Sequence, residues 1–244
     1  MEKEDIELEG EKKIAYKSQV ASANFLAQDR PDIQFSCQEL SKKMSKPTER
    51  DYEKLKKLVR YLKGQPHAAF WYEFEFERIE SLKVMTDSNW GGDKGTRKSV
   101  SGGAVMWGRH FIKSWAKGQA IVALSSAEAE LYAIVKATAE ALGVKSALED
   151  WSVQVPIEVL ADASAALAIV ERRGLGKIRH LDTRHLWIQY ACARRSVKYR
   201  KIAGTINPAD LMTKTLSSET ALAHCERLSL VWRNSRPFLA ARSV

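Results

Sequence analysis

The chain has 244 residues, is 45% hydrophobic and carries a formal net charge of +9. This content can bury one good core and a smaller neighbouring unit. No run of about 18 apolar residues suggests a membrane span, and the charged N-terminus lacks the apolar centre of a signal peptide. The cysteines and histidines show no disulfide-frame or zinc-finger spacing. We therefore expect an intracellular protein, cytoplasmic or nuclear, without contact to a membrane.

The positive charge is concentrated in residues 171–201, which contain ten Lys or Arg residues and two acids. Such a basic stretch suits a polyanion such as nucleic acid, because each neutralised phosphate releases counterions. A well-solvated basic surface explains the same charge equally well.

The N-terminal part of the chain predicts helices. Residues 1–13 are charged and predict a disordered leader. A first helix over residues 14–28 would place Ile14, Ala21 and Phe25 on one face, a second would run over residues 31–44, and a third over residues 48–64. Residues 14–67 thus form a small helical unit.

From residue 68 the pattern changes to strands. Residues 70–76, 81–87, 100–107 and 110–116 alternate with glycine-rich turns, as in an antiparallel meander. The clearest helix follows, with Ser125 and Glu128 in a capping-box pattern. A strand over 157–161 and a helix over 163–170 are typical of a parallel pair, and a helix over 181–194, a strand over 197–203 and helical residues after Pro208 complete the pattern.

Four carboxylates lie where a predicted strand ends or a helix begins: Asp87, Glu130, Asp162 and Asp210. Each aspartate also has an ordinary explanation, as a turn residue, an N-cap or a first-turn residue after an Asn207 cap. Glu128 and Glu130 flank the apolar stripe of their helix on opposite sides, so the helical period does not choose between them. If the four converge, they offer the oxygen ligands that Mg²⁺ prefers, which predicts a phosphodiester-cleaving site.

The residues around these acids form distinct short motifs. They are Thr86-Asp87-Ser88-Asn89-Trp90, residues 98–103, residues 124–133 with Ser-Ser-x-Glu-Ala-Glu, Ala161-Asp162, and residues 207–214, which read Asn-Pro-Ala-Asp-Leu-Met-Thr-Lys. Together, over roughly residues 81–216, they resemble the ribonuclease H domain of copia-type retrotransposon polyproteins. Residues 28–33, 47–48 and 60–64 resemble the end of the reverse transcriptase that precedes that domain. No Tyr-x-Asp-Asp motif occurs, so polymerase activity is not expected.

The resemblance implies a fold and an activity. The fold is an α/β, ribonuclease H-like mixed five-stranded sheet flanked by helices over residues 68–230, after the N-terminal helical unit and before a tail over 231–244. The activity is hydrolysis of the RNA strand of RNA/DNA hybrids by an endonuclease with two Mg²⁺ ions, or Mn²⁺. By this match Asp87 would bridge both ions, Glu130 rather than Glu128 would hold the leaving-group ion with Asp162, and Asp210 would hold the nucleophile-side ion.

Substrate contacts follow from the same match. Ser125 and Ser126 are candidates for backbone or 2′-OH contacts, and Lys177, Arg179 and Arg184 for phosphate contacts. The expected partners are an RNA/DNA hybrid and the remaining polyprotein domains, including reverse transcriptase. Trp90, Trp107 and Trp115 lie near predicted strands, where a core position is more typical than stacking on bases.

The resemblance leaves alternatives. Many ribonucleases H carry a histidine shortly before the last aspartate, but residues 203–209 contain none. Either the copia-type branch manages without that histidine, or this chain is slow. A separate alternative is a degenerate retroelement fragment that binds nucleic acid without cleaving it. Integrases and transposases share the fold, but they carry their glutamate last in the order of acids, unlike this sequence.

Overall fold

The structure is a computed structural model that describes residues 5–74, 81–176 and 183–233. The predicted N-terminal helical unit is confirmed and consists of α1 (Gly10–Leu26), α2 (Pro31–Ser41) and α3 (Glu49–Gly64). Thr48 begins α3 with a reciprocal cap, because its hydroxyl accepts from Asp51 N and its N–H donates to the Asp51 carboxylate. This unit has its own apolar core.

The described part of the predicted leader is ordered, contrary to the prediction. Leu8 is 1% exposed and belongs to the core of the helical unit. Its N–H donates to the Pro47 carbonyl at 2.7 Å, and Glu7 pairs with Thr48 in an isolated β-bridge. One buried apolar side chain with a paired backbone is enough to fix an otherwise charged segment.

The predicted buried face of α1 is also wrong. Ile14 and Phe25 are 68% and 78% exposed. The residues that pack into the core are Tyr16, Val20 and Ala23, and the Tyr16 hydroxyl donates to the Leu40 carbonyl at 2.9 Å. Both faces of this helix carry apolar residues, so its own sequence does not determine which one meets α2.

The central sheet has five strands in the order β4-β3-β2-β5-β6. These strands are β2 (Leu82–Asn89), β3 (Val100–Trp107), β4 (His110–Gly118), β5 (Ile157–Ala161) and β6 (Val197–Lys201). β2 pairs antiparallel with β3 and parallel with β5, and β5 pairs parallel with β6. The predicted mixed five-stranded sheet is therefore confirmed.

Helices cover both faces of the sheet. On one face α4 (Ser126–Asp150), α5 (Ser164–Glu171) and α6 (Trp187–Ala193) share a core with Leu82 and Val84 of β2. On the other face, Met85 packs with the 3₁₀ helix Pro208–Met212 and with Cys225 of α7 (Ser218–Arg227). The alternation along β2 thus sends its side chains into two different cores.

Several predicted boundaries differ in the structure. The strand expected over 70–76 is β1 (Ala68–Phe70), which pairs with β7 (Leu230–Trp232) in a separate two-stranded sheet, so the expected tail begins inside a strand. Residues 71–74 are not in a strand, and residues 75–80 lie outside the described ranges. The helix expected over 181–194 is a 3₁₀ helix, Thr183–His185, followed by α6, and residues 181–182 also lie outside the described ranges.

The helical unit packs directly against the α/β domain. α2 contacts β4, α7 and the 3₁₀ helix Pro208–Met212. Gln34 donates to the Ser114 carbonyl of β4 at 3.3 Å and to the Ala27 carbonyl at 2.8 Å. Among the described residues, no helix combines the length and apolar character needed to cross a bilayer.

Candidate active site

Asp87 lies near the C-terminal end of β2 and is 3% exposed. Its Oδ2 accepts a short hydrogen bond from the Thr213 hydroxyl. The neighbouring Asn89 donates to the Thr213 carbonyl at 3.0 Å, and Asn207 donates to the Thr86 carbonyl at 2.9 Å. The end of β2 is thus joined to residues more than 120 positions away in the sequence.

Glu130 lies in the second turn of α4 and is 8% exposed. Ser88 donates to its Oε1 from the backbone N–H at 3.1 Å and from the hydroxyl at 2.9 Å. The other oxygen, Oε2, is buried and has no hydrogen-bond partner in the described part of the chain. A buried carboxylate oxygen without a partner is costly unless a cation completes its surroundings.

Glu128 has different surroundings, although it is also buried. Its Oε2 accepts from Leu124 N at 2.8 Å and its Oε1 from the Tyr132 hydroxyl at 2.5 Å. Ser125 caps the helix by accepting from Glu128 N at 3.2 Å. The predicted capping pattern is therefore present in a modified form, because Glu128 binds the N–H before the cap residue instead of that of Ser125.

Asp162 directly follows β5 and joins Asp87 and Glu130. One carboxylate oxygen from each of these three residues lies within 4.8 Å of the other two. Asp162 is not the N-cap of α5, because that position is Ala163 and it makes no side-chain cap. Gly204 lies close by, where a Cβ atom would come within 3.0 Å of Asp162 Oδ2. The absence of a side chain at Gly204 leaves the carboxylate room.

Asp210 is not a member of this three-acid cluster. It lies in the 3₁₀ helix Pro208–Met212, which Asn207 caps as predicted by accepting from Ala209 N. Its Oδ1 forms an ion pair with Lys214 Nζ at 2.9 Å, and the same Nζ lies 3.5 Å from Asp87 Oδ2. Asp210 is therefore linked to the cluster through a lysine.

The electrostatics of the site follow from burial and from the crowding of like charges. The pKa of Glu130 is raised to about 8, first by burial and then by the charge of Asp87, against the opposing effect of the two Ser88 hydrogen bonds. Burial also raises the pKa of Asp87 to about 6, although Thr213 and Lys214 oppose the shift. Burial lowers the pKa of Lys214, but the nearby aspartates outweigh it and the net shift is upward.

The donor set fits a hard divalent cation. The converging ligand atoms are carboxylate oxygens only, and within the described residues the group includes no thiolate or imidazole. Mg²⁺ and Mn²⁺ prefer such ligands. The unpaired oxygen of Glu130 and the raised pKa values of Glu130 and Asp87 both indicate a site with too much negative charge for its burial.

The predicted substrate-binding residues are distributed as follows. Ser125 is half-buried at the cap of α4, and Ser126 is exposed at the first position of the helix. Lys177 and Arg179 lie outside the described residues, as does the side chain of Arg184. Further cations of the basic stretch are exposed on β6 and in the segments before and after α6: Arg173, Arg194, Arg195, Lys198, Arg200 and Lys201.

Sequence reasoning did not identify several residues that shape the site. Four of them lie inside the motifs noted above, which marked their positions but did not indicate what they do: Ser88, Asn89, Thr213 and Lys214. His224 of α7 had no signal in the sequence. It is 1% exposed, its Nδ1 lies 3.1 Å from Arg227, and burial lowers its pKa.

Comparison with known proteins relates this fold and site to mobile elements. No family model matches the chain. It is 29% identical over 209 residues to the retrovirus-related Pol polyprotein from transposon RE1 of Arabidopsis thaliana, which covers 83% of this chain and 14% of the polyprotein. It is also 33% identical over 134 residues to secreted RxLR effector protein 161 of Plasmopara viticola, covering 54% of this chain and 92% of that protein. By sequence, the chain is similar to copia-type retrotransposon Pol polyproteins.

The chain spans about one seventh of the length of the RE1 polyprotein. Among solved structures, the crystal structure of LC11-RNase H1 in complex with RNA/DNA hybrid is similar with a TM-score of 0.39 and 16% identity, covering 55% of this chain and 94% of that one. The origin of the helical unit as the end of a reverse transcriptase stays a prediction.

Proposed function

We propose that this chain is an endonuclease that hydrolyses the RNA strand of RNA/DNA hybrids with two divalent cations, Mg²⁺ or Mn²⁺. The observation that carries the proposal is Glu130 Oε2, which is buried and unpaired within the described residues, beside Asp87 and Asp162. Three carboxylates within 4.8 Å of one another repel unless a cation lies among them. The sequence similarity to retrotransposon Pol polyproteins and the mixed sheet support the same activity.

The residues of the chain have separate tasks in this proposal. Asp87, Glu130, Asp162 and Asp210 hold the cations, which when bound supply an activated water and stabilise the charge on the leaving 3′ oxygen. Ser88 fixes the orientation of Glu130 through two hydrogen bonds to one oxygen. Thr213 fixes Asp87 through one hydrogen bond from its hydroxyl to Oδ2. These bonds orient the ligands before substrate arrives.

Recognition of the RNA strand requires contacts to the 2′-OH, which distinguishes RNA from DNA. Ser125 and Ser126 lie at the start of the helix that carries Glu130 and are our candidates for these contacts. Lys177, Arg179 and Arg184 are our candidates for phosphate contacts in the basic stretch. We also propose that the partners include the remaining polyprotein domains, reverse transcriptase among them.

A labelled RNA/DNA hybrid incubated with the chain in Mg²⁺ tests the activity. Cleavage of the RNA strand is expected, without cleavage of matched DNA/DNA or RNA/RNA duplexes. Asp162→Asn and Glu130→Gln should each abolish cleavage. Asp150→Asn is the matched control, because Asp150 is an exposed acid at the other end of α4, about 30 Å from Glu130 by helical rise.

Two outcomes would contradict the proposal. Unchanged cleavage by Asp162→Asn would show that the catalytic site is assigned wrongly. Hybrid binding by the parent chain without any cleavage in Mg²⁺ or Mn²⁺ would favour the alternative function, a retroelement fragment that binds nucleic acid only.

A further inference from the structure

Lys214 connects Asp87, a member of the three-acid cluster, with Asp210, which lies outside that cluster. Its Nζ lies 2.9 Å from Asp210 Oδ1 and 3.5 Å from Asp87 Oδ2. The backbone fixes this arrangement, because Lys214 N donates to the Asp210 carbonyl at 3.2 Å and Asn89 holds the Thr213 carbonyl. A positive charge therefore lies between Asp87 and Asp210.

Lys214 compensates the negative charge of the site unevenly. Within the described residues, Lys214 forms ion pairs with Asp87 and Asp210. Glu130, in contrast, keeps a buried oxygen that has no hydrogen-bond partner there. The site thus has two unlike halves. Near Glu130 and Asp162 negative charge is uncompensated, and near Asp210 an ammonium group already compensates it.

The lysine is able to leave this position. Its side chain is 43% exposed, while that of Asp87 is 4% exposed and that of Asp210 is 14% exposed. A lysine head on a flexible stem can move into water at little cost, because an ion pair that is open to solvent on one side is weak. The two carboxylates are held in place by the fold and would remain.

We propose that Lys214 is an internal counter-ion that competes with a divalent cation for Asp87 and Asp210, so that this half of the site fills only when the ammonium group leaves. The inference rests on the proposed function, because it concerns the same metal site. One cation then binds tightly at Asp87, Glu130 and Asp162. A second binds more weakly, and Lys214 holds Asp210 beside Asp87 until it arrives.

Mn²⁺ binding to the full chain, followed by electron paramagnetic resonance of free Mn²⁺ and by calorimetry, tests this competition without measuring activity. The parent chain should bind one ion tightly and a second more weakly. Lys214→Gln removes the charge and keeps a polar, unbranched side chain that is one atom shorter. It should tighten the second step by up to about fivefold, the range that a partly exposed ion pair supports. The first step should change less.

Two further variants complete the test. Lys214→Arg keeps the positive charge and should leave the second step as weak as in the parent. Lys57→Gln removes an exposed lysine of α3 and should leave both steps unchanged. If Lys214→Gln fails to fold, Lys214→Met, which retains an unbranched apolar stem, replaces it with the same expected result.

The outcomes separate this inference from the proposed function. If the parent binds Mn²⁺ and cleaves hybrid but Lys214→Gln leaves the second step unchanged or weaker, the counter-ion role is wrong while the nuclease proposal stands. A loss of hybrid affinity in Lys214→Gln with unchanged Mn²⁺ binding would instead make Lys214 a phosphate contact and also overturn the inference. If the parent binds no Mn²⁺ at all, the proposed function itself fails.

Discussion

Ser88 donates two hydrogen bonds to a single oxygen of Glu130, from its backbone N–H at 3.1 Å and from its hydroxyl at 2.9 Å. Both donors bind Oε1, while the buried Oε2 has no hydrogen-bond partner among the residues that the structure describes. Ser88 is the residue after Asp87 on the same strand. The strand that presents the first acid therefore also orients the second one.

We expect Ser88→Ala to weaken the site without unfolding it. The variant keeps the backbone bond and loses the hydroxyl bond, and a hydrogen bond to a charged group contributes about 1.5 to 3 kcal/mol. Cleavage should fall roughly tenfold, and the Mg²⁺ concentration for half-maximal rate should rise. Initial rates over a Mg²⁺ titration measure both, and Ser88→Thr, which keeps a hydroxyl on a strand, is the control. An unchanged Mg²⁺ dependence would rule out this orienting role.

The stability of the metal-free protein should fall as the pH rises. The folded pKa of Glu130 is about 8 against an ordinary value of 4.5, and that of Asp87 is about 6 against 3.8. Below about pH 3 both acids are protonated in the folded and unfolded states alike. Between about pH 4 and pH 8 the unfolded state releases protons that the folded state retains, so stability is lost until the folded pKa values are passed.

Glu130→Gln tests this sign directly. In EDTA at pH 8.5 the variant should be more stable than the parent by on the order of 2 to 4 kcal/mol, and the difference should vanish near pH 4. Urea unfolding across this pH range measures it. Mg²⁺ should stabilise the parent most at high pH and the variant much less. A parent that gains stability from pH 5 to pH 8 would contradict the raised pKa values.

Gly102 of β3 is expected to be essential because the 3₁₀ helix Pro208–Met212 passes very close to it. A Cβ atom there would lie 2.6 Å from the Thr213 side chain and 2.8 Å from Met212 Cβ. Gly102→Ala should therefore displace Thr213 from Asp87, with a loss of about 1 to 3 kcal/mol in stability and a larger loss of cleavage.

Gly143→Ala is the matched control for this substitution. Gly143 lies inside α4 with nothing within 4 Å of an added Cβ atom, so alanine should stabilise the protein by roughly 0.5 to 1 kcal/mol. Thermal unfolding and cleavage rates of both variants give the comparison. Equal effects of the two substitutions would show that the contact with Thr213 is unimportant.

The parts of the fold that follow from local patterns were predictable. The apolar run over 157–161 predicted β5, glycine-rich turns delimited β3, and caps marked the starts of α4 and of the 3₁₀ helix Pro208–Met212. The pairing of β1 with β7 was not, because three-residue strands carry no period of their own. The buried position of Leu8 depends on a gap between helices that only the assembled unit creates.

The same distinction applies to the candidate site. The order of the four acids and the choice of Glu130 came from short motifs, and the three acids that converge were among them. The separation of Asp210 by Lys214 was not predictable, because it depends on how residues 207–214 dock on the end of β2. Three hydrogen bonds over more than 120 residues, from Asn207, Asn89 and Thr213, determine that docking.

Trp90 is expected to contact the nucleic acid. A core position was expected for it, but it is 51% exposed, and its Nε1 donates to the Ala123 carbonyl at 3.0 Å. An indole held at the surface three residues after Asp87 is available for stacking, which contributes about 1 to 3 kcal/mol per base. Trp90→Ala should weaken hybrid binding about tenfold or more in a fluorescence anisotropy assay.

Trp151→Ala is the control for Trp90, since Trp151 is 77% exposed but lies at the far end of α4. It should leave hybrid affinity unchanged. If both variants bind equally well, Trp90 does not contact the hybrid, and its exposure has another cause.

The basic stretch should govern the salt dependence of binding. Each phosphate neutralised on binding adds about 0.9 to the slope of log affinity against log salt for duplex DNA. If Lys177 and Arg179 contact phosphates, the double variant Lys177→Gln/Arg179→Gln should reduce that slope by about 2. Lys57→Gln/Lys63→Gln removes the same charge from exposed positions on α3 and should not change the slope. Equal slopes for both double variants would mean that Lys177 and Arg179 do not contact phosphates and that the basic stretch is only a solvated surface.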